Sequence, residues 1–348
     1  MAIKLTDFSD LSTLPFDTVI DVRAPSEFAE DHVPGAISLP VLNDHERAEV
    51  GTIYTQESPF RARKIGAALI AANAARHLSG PLADKEGGWK PLVYCWRGGQ
   101  RSGSFASILS QIGWRVDIVE GGYRSFRRLV VKALHDEDLP HRIVLLDGDT
   151  GTGKTDILAR IAERGGQVLD LEGMANHRGS VLGPMPGGQP AQKMFETRIA
   201  AALSGFDPER PVLVEAESSK VGACLVPPSL WKAMLAAPRL TVEAAQSERA
   251  RYLARAYGDV TADLPHLEAL LGQLVRLRGR ETVERWIAMA RAGQMEALAA
   301  DLIARHYDAR YAKSRARLPE AEAAIGITLD EDGLDRAADR ILAELARL

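Results

Sequence analysis

Residues Gly148-Asp149-Thr150-Gly151-Thr152-Gly153-Lys154-Thr155 leave this chain few ways to fold. The apolar run Arg142-Ile143-Val144-Leu145-Leu146-Asp147 precedes them and helical sequence from Asp156 to Glu163 follows, so a strand enters the loop and a helix leaves it. In that context the N–H groups of a G-x-x-x-x-G-K-T loop wrap a di- or triphosphate. Lys154 neutralises its terminal oxygens, and Thr155 can reach a magnesium ion. Two more apolar runs, Gln167 to Glu172 and Pro211 to Lys220, read as strands. Strands that alternate with helices make a parallel sheet, and ligands collect beyond the C-terminal ends of its strands. This puts Asp170, Glu172, Glu215, Glu217 and Lys220 around the phosphate loop as candidate substrate or metal contacts. His177 and Arg178 join them from Gly173-Met174-Ala175-Asn176-His177-Arg178-Gly179-Ser180, a stretch too polar for a core, and Gly183 to Pro190 reads as a flexible loop.

A second loop of the same plan lies upstream. Pro91-Leu92-Val93-Tyr94 is a short apolar strand that ends in Cys95, and Trp96-Arg97-Gly98-Gly99-Gln100-Arg101-Ser102 leads into helical sequence. Loop N–H groups and a helix N-terminus both stabilise anions, so Cys95 is expected to be a thiolate near neutral pH with room for an oxyanion beside it. Arg97 and Arg101 are expected to add positive charge, while Gly98 and Gly99 let the backbone turn its amides inward. Cys224 has no such setting and reads as structural.

A chain of 348 residues accommodates two domains, and 46% hydrophobic residues suffice for ordinary cores. No apolar run approaches the roughly 20 residues of a membrane helix. Met1 to Asp7 lacks the long apolar segment of a secretory signal, and two cysteines make neither a disulfide scaffold nor a thiolate-rich metal site. A cytoplasmic protein with no membrane partner is the expectation. The net charge of −4 excludes a global pull towards nucleic acid, but arginines cluster locally, as in Arg249 to Arg255, Arg276 to Arg285 and Arg305 to Arg317. Their alternation with Glu243 and Glu248 suits a solvated helix face, and the sequence reads as helical almost throughout from Thr241. That region is the candidate nucleic-acid surface or lid.

Val19-Ile20-Asp21-Val22-Arg23, the turn His32-Val33-Pro34-Gly35-Ala36 and the closing Ile118-Val119-Glu120-Gly121-Gly122-Tyr123 resemble a rhodanese-like domain, in which the Cys95 loop falls at the nucleophile's place. Asp21 and Arg23 read as a structural ion pair. An insertion around residues 41–90, helical from Phe60 to Leu78, is expected to cover the cysteine loop or to offer a substrate surface. The fold expected is α/β: a rhodanese-like domain over 1–138, then a phosphate-loop domain with a parallel sheet over 139–348, helical from about 241.

These two domains in this order, with Cys95 to Ser104, Gly121 to Arg124, Leu171 to Ser180 and Val214 to Gly222, resemble the tRNA 2-selenouridine synthases. Ser219 departs from the basic residue expected there in that family. The resemblance implies a transferase acting on tRNA with a wobble 2-thiouridine. It exchanges sulfur for selenium from selenophosphate, through an S-geranylated base made from geranyl diphosphate, without a prosthetic group. Gly148 to Thr155 would then hold the diphosphate, and Cys95 would carry or receive the chalcogen. Three other readings stay open at this level. One is an ATP-dependent tRNA sulfurtransferase or rhodanese–kinase fusion, since the loop itself does not separate a nucleotide from a prenyl diphosphate. Another is a phosphatase, from the Cys-x5-Arg spacing of Cys95 and Arg101. The third is a nucleotide switch that only binds partners.

Overall fold

Each of the two strand–loop–helix units is seated at the middle of its own parallel sheet. A computed structural model describes residues 2–180, 182–216, 218–308 and 321–348. The chain divides into two compact units, Met1–Asp138 with Pro190–Gly205, and Leu139–Gln189 with Phe206–Leu348.

The first unit holds strands β1 (Ala2–Ile3), β2 (Thr18–Asp21), β3 (Ile37–Ser38), β4 (Pro91–Tyr94) and β5 (Asp117–Val119). They pair in the order β1-β5-β4-β2-β3, all parallel. Central β4 is buried on both faces, as its unbroken apolar sequence requires. The helix Gln100–Ile112 follows and buries Ser102, Phe105, Ala106 and Leu109, one face at helical spacing. Gly113 ends it in the left-handed region with φ +109°, a conformation open to glycine without strain.

The insertion forms helices Asp44–Gln56 and Pro59–Ser79. The second packs into the core, in the same cluster as Cys95. Ile70 and Ala74 share a cluster with Phe105 and Leu109, and the His77 ring meets that of Phe105 edge-on at 6.1 Å. Buried Gly66 leaves room for the first of these helices, since a Cβ there would already meet Val50 at 3.4 Å. Asp21 and Arg23 are a buried pair, 2.6 Å apart, and Arg23 also donates to the Asp31 carbonyl.

The second unit holds β6 (Ile143–Gly148), β7 (Gln167–Leu169), β8 (Val212–Glu215), the hairpin β9 (Lys220–Val221) and β10 (Cys224–Leu225), β11 (Arg239–Glu243) and β12 (Ala323–Gly326). Its sheet runs β12-β11-β6-β8-β7, all parallel. The reading of helix from Thr241 onward is corrected. Leu240-Thr241-Val242 lies in β11, beside β6 near the sheet's middle, and β12 forms its edge. Helix begins only at Gln246. The polar flanks of a short β-branched run hid a buried strand.

The strand expected over Gln167 to Glu172 stops at Leu169, and the one over Pro211 to Lys220 stops at Glu215. One further difference concerns the single cut at 138/139. The helix Gln192–Ser204 groups with the first unit, where Arg127 donates to the Lys193 carbonyl at 3.2 Å and pairs with Glu196, and Lys193 reaches Glu30 at 2.7 Å.

Candidate functional site

At the C-terminal end of β4 the Cys95 side chain is only 3% exposed. The Gly99 N–H donates to Sγ at 3.3 Å, and the Ser102 hydroxyl lies 3.1 Å from it. Burial pushes the thiol up. Hydrogen bonds from the Ser102 hydroxyl and N–H and from the N–H groups of Arg97 and Gly99 outweigh it, so Cys95 titrates below its ordinary value.

The loop is held from below by the turn Gly121-Gly122. The Cys95 carbonyl accepts from the Tyr123 N–H at 2.8 Å, the Trp96 carbonyl accepts from the Arg124 N–H at 3.2 Å, and the Trp96 and Tyr123 rings stack at 5.3 Å. Gly122 has φ +60°, and a Cβ there would stand 2.2 Å from the Cys95 carbonyl oxygen. Only glycine fits between the two turns.

The expected role of the loop arginines is corrected. Arg101 forms a 2.8 Å ion pair with Glu27, whose carboxylate also accepts from the Ala24 N–H. Burial raises the Glu27 carboxyl, and Arg101 with its hydrogen bond brings it below the ordinary value. Arg97 contributes its backbone N–H, while its side chain, like that of Gln100, is exposed. What lowers the thiol's pKa is therefore dipoles and a hydroxyl, not guanidinium charge.

In the second unit β6 runs into the loop 148–155 and the helix Lys154–Glu163, which buries Ile157, Leu158 and Ile161. Lys154 Nζ donates to the Gly148 carbonyl at 2.8 Å, which folds the ammonium over the loop. Thr152 Oγ1 donates to the Asp149 carbonyl at 2.8 Å and Thr155 is exposed at the first turn. Gly151, with φ +86°, lies against Leu253, and a Cβ there would approach Leu253 Cγ to 2.9 Å.

Arg249, expected on a solvated face, is 4% exposed. Its Nε donates to the Thr150 carbonyl at 3.0 Å, and its other nitrogens reach Asp308 at 2.6 and 3.1 Å and Asp149 at 3.5 Å. A helix far along the sequence thus braces the phosphate loop. Other arginines of this region pair within the fold: Arg285 and Arg305 with Asp301, Arg291 with Glu268, and Arg278 with His306.

Several of the remaining candidates have partners within the fold. Asp170 caps the helix Leu171–Met174 by accepting the Gly173 N–H at 2.7 Å. Buried Glu215 accepts the Glu172 N–H at 2.5 Å, which ties the end of β8 to that helix. His177 accepts the Gly179 N–H at Nδ1, and burial holds its pKa below the ordinary value. Arg178 lies over the Tyr257 ring, 4.8 Å from its centroid. Lys220 is exposed on the β9–β10 hairpin. Glu217 lies outside the described residues. Among the described residues no three His, Cys, Asp or Glu side chains gather as a metal site, and no helix is long and apolar enough to cross a membrane.

Comparison with known proteins matches residues 5–129 to the rhodanese-like domain and residues 141–272 to the tRNA 2-selenouridine synthase AAA domain. The tRNA 2-selenouridine synthase of Aeromonas salmonicida is 39% identical over 254 residues, 72% of this chain and 67% of that one. Those of Hahella chejuensis and Pseudomonas entomophila are 38% and 34% identical, over 69% and 81% of this chain and 63% and 74% of theirs. The chain matches about two thirds of the length of these relatives.

Proposed function

Since the chain belongs to the tRNA 2-selenouridine synthase family, we propose that it replaces the sulfur of a wobble 2-thiouridine in tRNA by selenium. The reaction passes through an S-geranylated base, with geranyl diphosphate and selenophosphate as co-substrates. In the first step the thiocarbonyl sulfur attacks the allylic carbon. A C–S bond forms, the C–O bond breaks, diphosphate leaves with the electron pair, and the base gives up its N3 proton to solvent. Charge grows on the diphosphate oxygens, and the N–H groups of loop 148–155 with Lys154 stabilise it where it develops. Thr155 is the hydroxyl that would reach an accompanying magnesium ion.

Alkylation makes the base sulfur a good leaving group. Selenium in selenophosphate already stands at the oxidation level of selenide, so the second step needs no oxidant or reductant. The Cys95 thiolate attacks phosphorus, an S–P bond forms, and the P–Se bond breaks with its electron pair on selenium, so that Cys95 takes the phosphoryl group and releases the chalcogen instead of carrying it. The selenide adds to C2 of the alkylated base and expels geranyl thiolate. Water then hydrolyses the S–P bond and restores Cys95.

The observation that carries this reading is the buried Cys95 thiol, held below its ordinary pKa by converging donors. A cysteine that only fills a core needs no such donors. The test is nucleoside mass spectrometry of tRNA after incubation with each co-substrate alone and with both. Geranyl diphosphate alone should yield the S-geranyl nucleoside, and both together 2-selenouridine. Selenouridine formed at full rate without geranyl diphosphate overturns the proposal, and a requirement for ATP in its place favours the sulfurtransferase reading.

A further inference from the structure

Next to the phosphate loop the second unit contains an apolar slot. Thr150 stands at its rim, and its walls include Leu253 and Ala254 of the helix Gln246–Ala256 and Met295, Leu298 and Leu302 of the helix Met295–Leu302. Its cavity volume is about 40 Å³. It is narrow, and no charged side chain lines it.

Two contacts join it to the loop. Leu253 packs against Gly151, and Arg249, one turn earlier on the same helix, holds the Thr150 carbonyl at 3.0 Å. Arg178 and Ser180 bear on another wall residue, Tyr257, the serine hydroxyl lying 3.3 Å from the phenol oxygen. A nucleoside would need several polar partners for its base and sugar, and apart from the hydroxyl-bearing Thr150, Tyr257, Thr261 and Tyr307 these walls are apolar. A thin, methyl-branched hydrocarbon needs none, and the leucines with flexible Met295 can part around it.

We propose that this slot takes the isoprenoid tail of the allylic diphosphate whose phosphates lie on loop 148–155, and that its walls select chain length. The inference rests on the reading of geranyl diphosphate as co-substrate. Full-length protein is titrated with inorganic, dimethylallyl, geranyl and farnesyl diphosphate, in the wild type and in Ala254→Phe and Met295→Ala. The wild type should bind geranyl over dimethylallyl diphosphate by tenfold or more, since each added apolar group in a fitted pocket is worth roughly 10-fold or more. Ala254→Phe should bring that ratio towards one without changing affinity for inorganic diphosphate. Met295→Ala should move preference several-fold towards farnesyl, and it carries the test if the bulkier variant fails to fold. If the wild type prefers geranyl diphosphate and the ratios do not move in a folded variant, the slot assignment falls alone. A wild type that binds geranyl no better than inorganic diphosphate overturns the co-substrate reading and the slot with it.

Discussion

The cysteine loop and the phosphate loop share one plan, a central parallel strand running into a glycine-rich turn and a helix, yet they treat negative charge in opposite ways. In the first the group whose negative form is favoured belongs to the protein. Donors converge on Cys95 Sγ, and the Arg101 guanidinium of the same loop is committed to Glu27. In the second the protein supplies the cation. Lys154 rests on the Gly148 carbonyl, and the loop's carbonyl side is braced by Arg249 from the helical region. A nucleophile needs its charge stabilised without being neutralised, which dipoles and a hydroxyl do. A departing diphosphate needs a full counter-charge.

If this contrast is functional, the two halves of the reaction separate cleanly by mutation. Cys95→Ala should lower conversion of S-geranylated tRNA with selenophosphate by a thousandfold or more, on the order seen when a nucleophile is deleted, and leave geranylation of 2-thiouridine tRNA intact. Nucleoside analysis reads both, and selenation at the wild-type rate would end the nucleophile assignment. Lys154→Ala should do the reverse. Geranylation should fall about a hundredfold, equivalent to roughly 3 kcal/mol of lost electrostatic stabilisation, while S-geranylated tRNA is still converted. Equal losses in both reactions would mean that the phosphate loop serves a shared step.

A smaller effect tests the bracing. Arg249→Leu removes a buried guanidinium and leaves Asp308 and Asp149 without it. Breaking a fully buried pair costs about 3 kcal/mol or more, and the partly exposed Asp308 reduces this to about 2 kcal/mol. Thermal unfolding should show it, together with a raised KM for the diphosphate; an unchanged KM would make Arg249 purely structural.

Ser102→Ala removes a donor that holds the Cys95 thiol down, so the thiol should titrate higher. Alkylation at neutral pH should slow several-fold and recover as pH rises, whereas a pH profile that does not move would assign the depression to the backbone alone. The smallest effect belongs to His177. Its folded pKa is depressed, so its contribution to stability is present above the ordinary histidine range and is lost as pH falls through that range towards the folded value. The protection factor of the Gly179 N–H, which donates to His177, should fall on acidification once the intrinsic pH dependence of exchange is divided out, while a protection factor that does not change with pH would remove His177 from that role.

The local chemistry of the chain was legible in one dimension. Strand, glycine turn and helix are encoded by adjacent residues, so both loops, with Cys95 and Lys154 at their heads, could be read without a fold. So could the helical insertion and the buried Asp21–Arg23 pair. Relations between distant residues could not. Arg249 looked like one more charge on a solvated face, because burial depends on what packs above it, here residues about 100 positions away in the chain. β11 passed for the start of a helical region, because a short strand is recognised by its neighbours, β6 and β12, rather than by five residues of its own. Asp170 and Glu215 read only as candidate contacts, and the structure adds what the sequence could not show, that one caps a helix and the other ties a strand end to it. The apolar slot was invisible for the same reason. Leu253, Met295 and Leu302 are ordinary helix residues in sequence, and only tertiary packing gathers them beside Thr150, turning a loop that cannot by itself tell a nucleotide from a prenyl diphosphate into one with an apolar neighbour.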